Sequence, residues 1–269
     1  MKNKIFPKLS VSMLLLGATF AANASPIAHW GFDETSGSIA YDSVGAVNGQ
    51  LLGGVTFTGV GGVVGGAVQF TDGYITMGNN FGPSSAFSIE AWVKITPGAT
   101  YGMTPVSKHI PGIAQGYFLS INNIGDGYTR DDTVGFYSSN GSHHTAVGGP
   151  SVNDGLWHQL VGVYDNGVPM IYRDGQLVGS GWSFGYANNG AEFIVGGILG
   201  NGSLGGNLTN GSLIDEVSVY GSALSGAEIQ SIYNATVSPN LSVPEPTGTV
   251  FLGLCMAGLA VGKMRRKNI

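Results

Sequence analysis

Glycine decides what this chain can become. It supplies 46 of the 269 residues, against a usual share of ~7%. Many glycines follow an Asp or Asn, as in Asp72-Gly73, Asn140-Gly141, Asn166-Gly167 and Asp174-Gly175. Such pairs favour tight turns, because both residues tolerate positive φ. They interrupt the chain about every eight to fifteen residues, too often for long helices and suitably for short strands. The glycines follow no Gly-X-Y period, so a collagen helix is excluded. Aromatic residues make up 10% of the chain, which argues against a disordered chain, since such chains bury too little apolar surface.

Between the turns the apolar pattern has a period of two. In Phe87–Lys94, residues Phe87, Ile89, Ala91 and Val93 share one face, and Ser88, Glu90, Trp92 and Lys94 share the other. Ala67–Phe70, Tyr117–Ile121, Thr133–Tyr137, Leu160–Tyr164, Met170–Arg173, Phe193–Val195 and Ile214–Tyr220 read as further strands. Asp174-Gly175, between Met170–Arg173 and Gln176–Gly179, is the strongest hairpin signal. Only Leu224–Tyr233 reads as a helix, capped by Ser222 or Ser225, with Glu228 in its first turn. Many evenly spaced strands with scarcely any helix predict an all-β sandwich or jelly roll.

The two ends read as addresses. Lys2, Lys4 and Lys8 precede an apolar stretch from Val11 to Ala22 and the triplet Ala22-Asn23-Ala24. That order is a secretory signal peptide, residues 1–24, with cleavage before Ser25. At the other end, Val243-Pro244-Glu245-Pro246 is followed by an apolar run from Gly248 to Gly262, then by Lys263, Arg265, Arg266 and Lys267. As a helix the run would be roughly 22 Å long, short of the ~30 Å hydrocarbon core. The basic stop extends its reach, because long cationic side chains snorkel to the cytoplasmic interface. We read residues 247–269 as a temporary transmembrane anchor and residues 237–246 as the linker before it. This tail resembles the PEP-CTERM sorting signal of Gram-negative bacteria. The resemblance implies an exosortase-type protease as partner, export to the cell surface or beyond, and a bacterium that makes extracellular polysaccharide or biofilm.

Without those ends the electrostatics change. Residues 25–242 keep four basic residues (Lys94, Lys108, Arg130, Arg173) against 15 acidic ones, so 4 − 15 = −11. Such a domain repels nucleic acid and attracts divalent cations. The one cysteine, Cys255, lies in the anchor, so an exported domain here must be held by its core or by ions rather than by disulfides.

Trp30–Gly37, Ala40–Ser43, Asn48–Leu51, Gly66–Phe70, Phe87–Lys94, Asp154–His158, Tyr172–Gly175 and Leu213–Tyr220 with Ala223–Ser225 and Glu228-Ile229 follow one another in an order that resembles the LamG-like jelly roll. The resemblance covers roughly residues 27–234. It implies a two-sheet antiparallel sandwich of the concanavalin A-like type over residues 25–236, with one short C-terminal helix. Its members mostly bind sugars, proteins or calcium rather than catalyse. It also implies a structural calcium ion joining the two ends of the domain, with Asp33, Asp42, Asn48 and Asp215 as ligands. Alternatively, Asp33 and Asp42 make Asx turns and Asp215 caps a backbone amide.

Catalytic constellations are weak by comparison. A glycosidase on such a sandwich needs two carboxylates about 5–9.5 Å apart. Glu90, in the Phe87–Lys94 strand, is flanked at i±2 by Ser88 and Trp92. The histidines His29, His109, His143, His144 and His158 show no zinc-ligand spacing. His158 belongs to a fold motif and reads as structural. Gly61-Gly62 and Gly65-Gly66 lack the Lys and helix of a phosphate loop and read as a flexible strand connection. Asn-x-Ser/Thr sequons such as Asn140, Asn201 and Asn207 read as products of turn composition.

Sugar recognition needs exposed aromatics beside amides and carboxylates. Tyr128, Arg130, Asp132, His143, His144, Trp182 and Tyr186 have that chemistry, with core packing the competing role for Trp182. Trp30, Trp92 and Trp157 are assigned to the core. The sequence therefore reads as an exported, non-catalytic module that binds carbohydrate or extracellular matrix. The alternatives are a structural or protein-interaction component of a biofilm, and a polysaccharide hydrolase or lyase.

Overall fold

A computed structural model describes residues 24–82, 85–98, 102–122, 133–140, 143–182, 189–200 and 202–238, with the side chains of 140 and 143–145 left aside. The signal segment before residue 24 and the whole linker, anchor and basic tail from residue 239 lie outside the described residues. Among the described residues no helix is long and apolar enough to cross a membrane.

The strands run in order as β1 (Ala28–Trp30), β2 (Ile39–Ala40), β3 (Gly49–Phe57), β4 (Val68–Thr76), β5 (Ala86–Lys94), β6 (Val106–Ile110), β7 (Gln115–Ile121) and β8 (Val134–Asn140). They continue as β9 (His143–Gly148), β10 (Trp157–Asp165), β11 (Val168–Arg173), β12 (Gln176–Ser180), β13 (Ile194–Val195), β14 (Ile198–Gly200), β15 (Ser203–Gly205) and β16 (Ser212–Tyr220), followed by helix α1 (Gly226–Val237). All pairings are antiparallel. The hydrogen-bonded path is β12-β11-β10-β5-β16-β4-β13-β6-β7-β8-β9, with β1 on β16 and β2–β3 on β4. The path folds over so that β7 and β8 pack across β10 and β11. This is the all-β sandwich the turn spacing predicts. Its filling comes from Phe87, Ile89, Ala91 and Val93 of β5, with Trp30, Phe136, Leu160 and Ile214 against them, all fully buried. Gly162 of β10 leaves the space that the Phe136 ring of β8 occupies; a methyl group there would collide with it.

Local chemistry explains the hairpins. Asn166 and Gly167 join β10 to β11 with φ of 46° and 102°, and Asp174 and Gly175 join β11 to β12 with 51° and 79°. Two successive positive φ values give the turn whose twist suits antiparallel strands. Asp72-Gly73 is a correction to the sequence reading. It lies inside β4, opposite Gly53-Gly54 of β3, where the register shifts. A methyl group at Gly53 would come within 2.6 Å of the Asp72 carbonyl oxygen, so the glycines permit close crossing at a bulge rather than a turn.

Strand β5 departs from its amphipathic pattern, because its second face is buried as well. Ser88, Glu90 and Trp92 are no more than 3% exposed, since α1 lies over them. Ser225 caps that helix: its side chain accepts from Glu228 N–H while the Glu228 carboxylate accepts from Ser225 N–H. A reciprocal cap of this kind stabilises a helix by about 1 kcal/mol. Leu224 and Ile229 bury against Val161, Val163, Tyr172 and Tyr220. Tyr233 stacks on Trp92 with ring centres 5.6 Å apart and planes 7° from parallel.

Candidate functional site

A bulge in the last strand creates the first cluster of interest. Between Asp215 and Ser218 the pairing of β16 with β5 shifts register, and Glu216 takes a positive φ of 49°. A regular strand would send Asp215 and Glu216 to opposite faces. Here both carboxyls come close enough to Asp33 for each of them to feel its charge. Asp215 is fully buried; burial pushes its carboxyl up to about 7, against backbone N–H bonds from Val64, Glu216 and Val63. Burial, then Asp215, Glu90 and Asp33, push Glu216 up to about 8. His29 Nε2 lies 3.5 Å from Glu216 Oε2, and its Nδ1 is 2.9 Å from Ser218 Oγ. Burial lowers the His29 pKa despite the opposing pull of Asp42 and Asp33.

Gly31 forms the floor of this cluster. A methyl group there would meet Glu216 Oε1 at 3.4 Å, Asp33 Oδ2 at 3.5 Å and His29 Nε2 at 3.6 Å. The carboxylates also hold the glycine loop between β3 and β4. Gly66 N–H donates to Asp33 Oδ1 at 2.8 Å, and Val64 N–H donates to Asp215 Oδ2 at 3.1 Å. The loop read as flexible is therefore pinned at two points.

Of the four expected calcium ligands, the structure brings together Asp33 and Asp215 and leaves Asp42 and Asn48 apart. Asp42 Oδ1 accepts from the N–H groups of His29, Val44 and Gly45, and its Oδ2 from Val47. Burial tends to raise its pKa, and these four donors outweigh it, so the net shift is downward. Asn48 Oδ1 accepts from Asp42 N–H at 3.0 Å. Those oxygens are engaged in a local Asx-type loop. Asp33, Asp215 and Glu216 have the donor chemistry that a hard divalent ion takes. Among the described residues no three His, Cys, Asp or Glu side chains are grouped to hold a metal by themselves, so loop carbonyls or water would have to complete a shell. Glu216 is not among the expected ligands; no residue pattern announces the bulge that turns it inward.

The candidate sugar contacts divide differently. Tyr128, Arg130, Asp132 and Tyr186 lie outside the described residues. His143 and His144 are placed by backbone alone, in β9 opposite Ser139 and Ser138. Trp182 is 85% exposed, which excludes core packing for this residue. Gly181 N–H donates to the Pro169 carbonyl at 2.8 Å and extends the β11–β12 ladder beyond the Met170–Ser180 pair, so Trp182 follows at the end of the sheet. Asp165 pairs with Val168 in the neighbouring ladder. Asp165 and Asn166 are both exposed, with Asn166 Nδ2 donating to Asp165 Oδ1 at 2.8 Å. An exposed indole thus lies at the same end of the sheet as a carboxylate and an amide.

Two polar groups prove to be internal. Glu90 accepts from Gln159 Nε2 at 2.7 Å and from Tyr220 OH at 2.9 Å beneath α1, and burial raises its pKa. It is 3% exposed and tied into this internal network. His158 sits between Asp174, at 2.8 Å from Nδ1, and Asp154, at 3.1 Å from Nε2, and joins the loop before β10 to the β11–β12 hairpin. That is the structural role the sequence assigns to it.

The family model Laminin_G_3, described as the concanavalin A-like lectin/glucanases superfamily, matches residues 66–230. No curated protein matches the sequence. Among solved structures, domain 4 of AbnA, a GH43 extracellular arabinanase from Geobacillus stearothermophilus in complex with arabinotriose, is 21% identical with a TM-score of 0.60, covering 78% of this chain and 99% of that one. The binding domain of Paraclostridial Mosquitocidal Protein 1 is 15% identical with a TM-score of 0.61, covering 78% and 52%. Trypanosoma rangeli sialidase in complex with 2,3-difluorosialic acid is 16% identical with a TM-score of 0.58, covering 89% and 37%. This chain therefore spans about half or less of the last two. At these identities the likeness establishes the fold.

Proposed function

Since the chain belongs to the concanavalin A-like lectin/glucanase superfamily, we propose that it is an exported, non-catalytic module that binds carbohydrate, an extracellular polysaccharide or a surface glycan, at a bacterial surface. The observation that carries this reading is Trp182, an indole 85% open to solvent on the same end of the sheet as Asp165 and Asn166. Aromatic faces of this kind stack on apolar sugar faces while neighbouring amides and carboxylates bind hydroxyls. The arabinanase domain solved with arabinotriose supports the same reading. The charged, apolar and basic order of the two chain ends supports export, a temporary C-terminal anchor and an exosortase-type sorting protease as partner.

Calcium enters as a structural partner of the fold. Asp33 and Asp215 would hold it together with loop carbonyls or water, and it would neutralise carboxyls that burial and mutual repulsion otherwise push upward. Its place is between β1, β16 and the glycine loop, so its effect is on stability. Thermal melting in calcium against chelator checks it: binding to the folded state raises the midpoint by mass action, and an unchanged midpoint removes the ion.

One observation favours hydrolysis as a second reading: Asp215 and Glu216 have raised pKa values beside Asp33, as an acid–base pair requires. Asp215 is fully buried and bonded to the glycine loop, which suits a structural carboxyl better. A glycan array with the full chain, in calcium and in chelator, tests the main reading. Binding to one glycan class supports it; failure to bind any, with capture of a matrix protein instead, favours a structural biofilm component.

A further inference from the structure

Resting on the sugar-binding reading above, we infer that the Trp182 face selects glycans bearing protonated amines, such as deacetylated hexosamine polymers, over neutral and acidic ones. The first observation is the distribution of charge. Among the described residues every exposed charged side chain is acidic: Asp33, Asp72, Asp154, Asp165 and Glu192. Lys94 and Arg173 are half-buried and Lys108 is fully buried. Lys108 donates to Asn79 Oδ1 and to the Ala191 carbonyl, and Arg173 pairs with Asp174 at 3.3 Å. Among the described residues no fully open cation faces a uronic acid polymer, and the net acidic field repels it.

The second observation is local. Asp165 ends β10 and Trp182 lies two residues beyond the end of β12, on either side of β11, and a ~4.8 Å strand spacing continued to Trp182 would put the two backbones about 10 Å apart. Val168, half-buried, lies between them. On β10, Val161 and Val163 face α1, so Asp165, two residues further along, continues that face. An indole attracts cations to its ring as well as stacking on C–H groups. A short oligosaccharide laid from Trp182 to Asp165 therefore meets a π face at one end and an exposed carboxylate at the other. Both favour an ammonium group over a hydroxyl or an acetamide.

The test is calorimetric titration of the full chain with three hexamers, of glucosamine, N-acetylglucosamine and galacturonate, at low and at physiological salt. The glucosamine hexamer is expected to bind tightest, by about tenfold, since each exposed ion pair contributes a factor of up to about five. Added salt should narrow that preference. Asp165→Asn should weaken the glucosamine hexamer about threefold and leave the acetylated one unchanged, whereas Trp182→Ala should remove both. Equal or tighter binding of the acetylated or acidic hexamer overturns the selectivity and leaves sugar binding intact. Binding of none of the three also overturns the selectivity, and the glycan array above decides separately whether sugar binding stands.

Discussion

Asp33 and Asp215, near opposite ends of the domain, hold the same loop. Asp33 takes the N–H of Gly66 and Asp215 takes the N–H of Val64. The first strand, the last strand and the β3–β4 connection are thereby closed into one unit, which exposes few alternatives to mutation. Gly62 and Gly65 sit against the two carboxylates, and a methyl group at either would collide with Gly66 or with Asp33. Gly65 also has a φ of +60°. Gly65→Ala is expected to destabilise by about 2–4 kcal/mol, from backbone strain and displacement of Asp33. Denaturant unfolding measures it, and a loss under ~0.5 kcal/mol would show the loop to be slack.

Glu90 gives the second prediction. Its folded pKa is raised by burial, against bonds from Gln159 and Tyr220. A raised carboxyl contributes its full stability below the ordinary value and loses it as pH rises through the folded value. The domain should weaken from about pH 4.5 upward, and Glu90→Gln, which keeps both bonding partners, should flatten that slope. Unfolding midpoints between pH 4 and 8 decide this. A Glu90→Gln slope as steep as the native one would place the titrating group elsewhere.

Much of this architecture was legible. The period-two face of Phe87–Lys94, the Asn-Gly and Asp-Gly hairpins and the Ser225–Glu228 cap are set by local chemistry, and local chemistry is what residue patterns record. Three features were not. Strand β3 carries two glycines because β4 crosses it closely, and a close crossing has no sequence mark. Glu90 shares a strand face with Ser88 and Lys94, and nothing in that pattern announces that α1, from the far end of the domain, buries it. Glu216 turns toward Asp33 only through a bulge.

His158 gives the third prediction. Burial lowers its pKa, but bonding and attraction from Asp174 and bonding from Asp154 outweigh burial and the repulsion from Arg173, so the net shift is upward. The stability this network supplies is fully present below about pH 6.5 and is lost as pH rises through the folded value. His158→Gln should therefore cost more at pH 5.5 than at pH 8.5. Paired melts at those two values measure the difference, and an equal cost at both would assign His158 a packing role alone.

The central claim is that this surface grips a glycan and leaves it whole. The direct measurement incubates the full chain, native and Trp182→Ala, with a polysaccharide it retains, and follows binding and newly formed reducing ends together. The account predicts retention by the native chain, loss by at least about tenfold on removing the indole, and no growth in reducing ends with either. Reducing ends that accumulate with the native chain, or retention that survives the loss of Trp182, would contradict it.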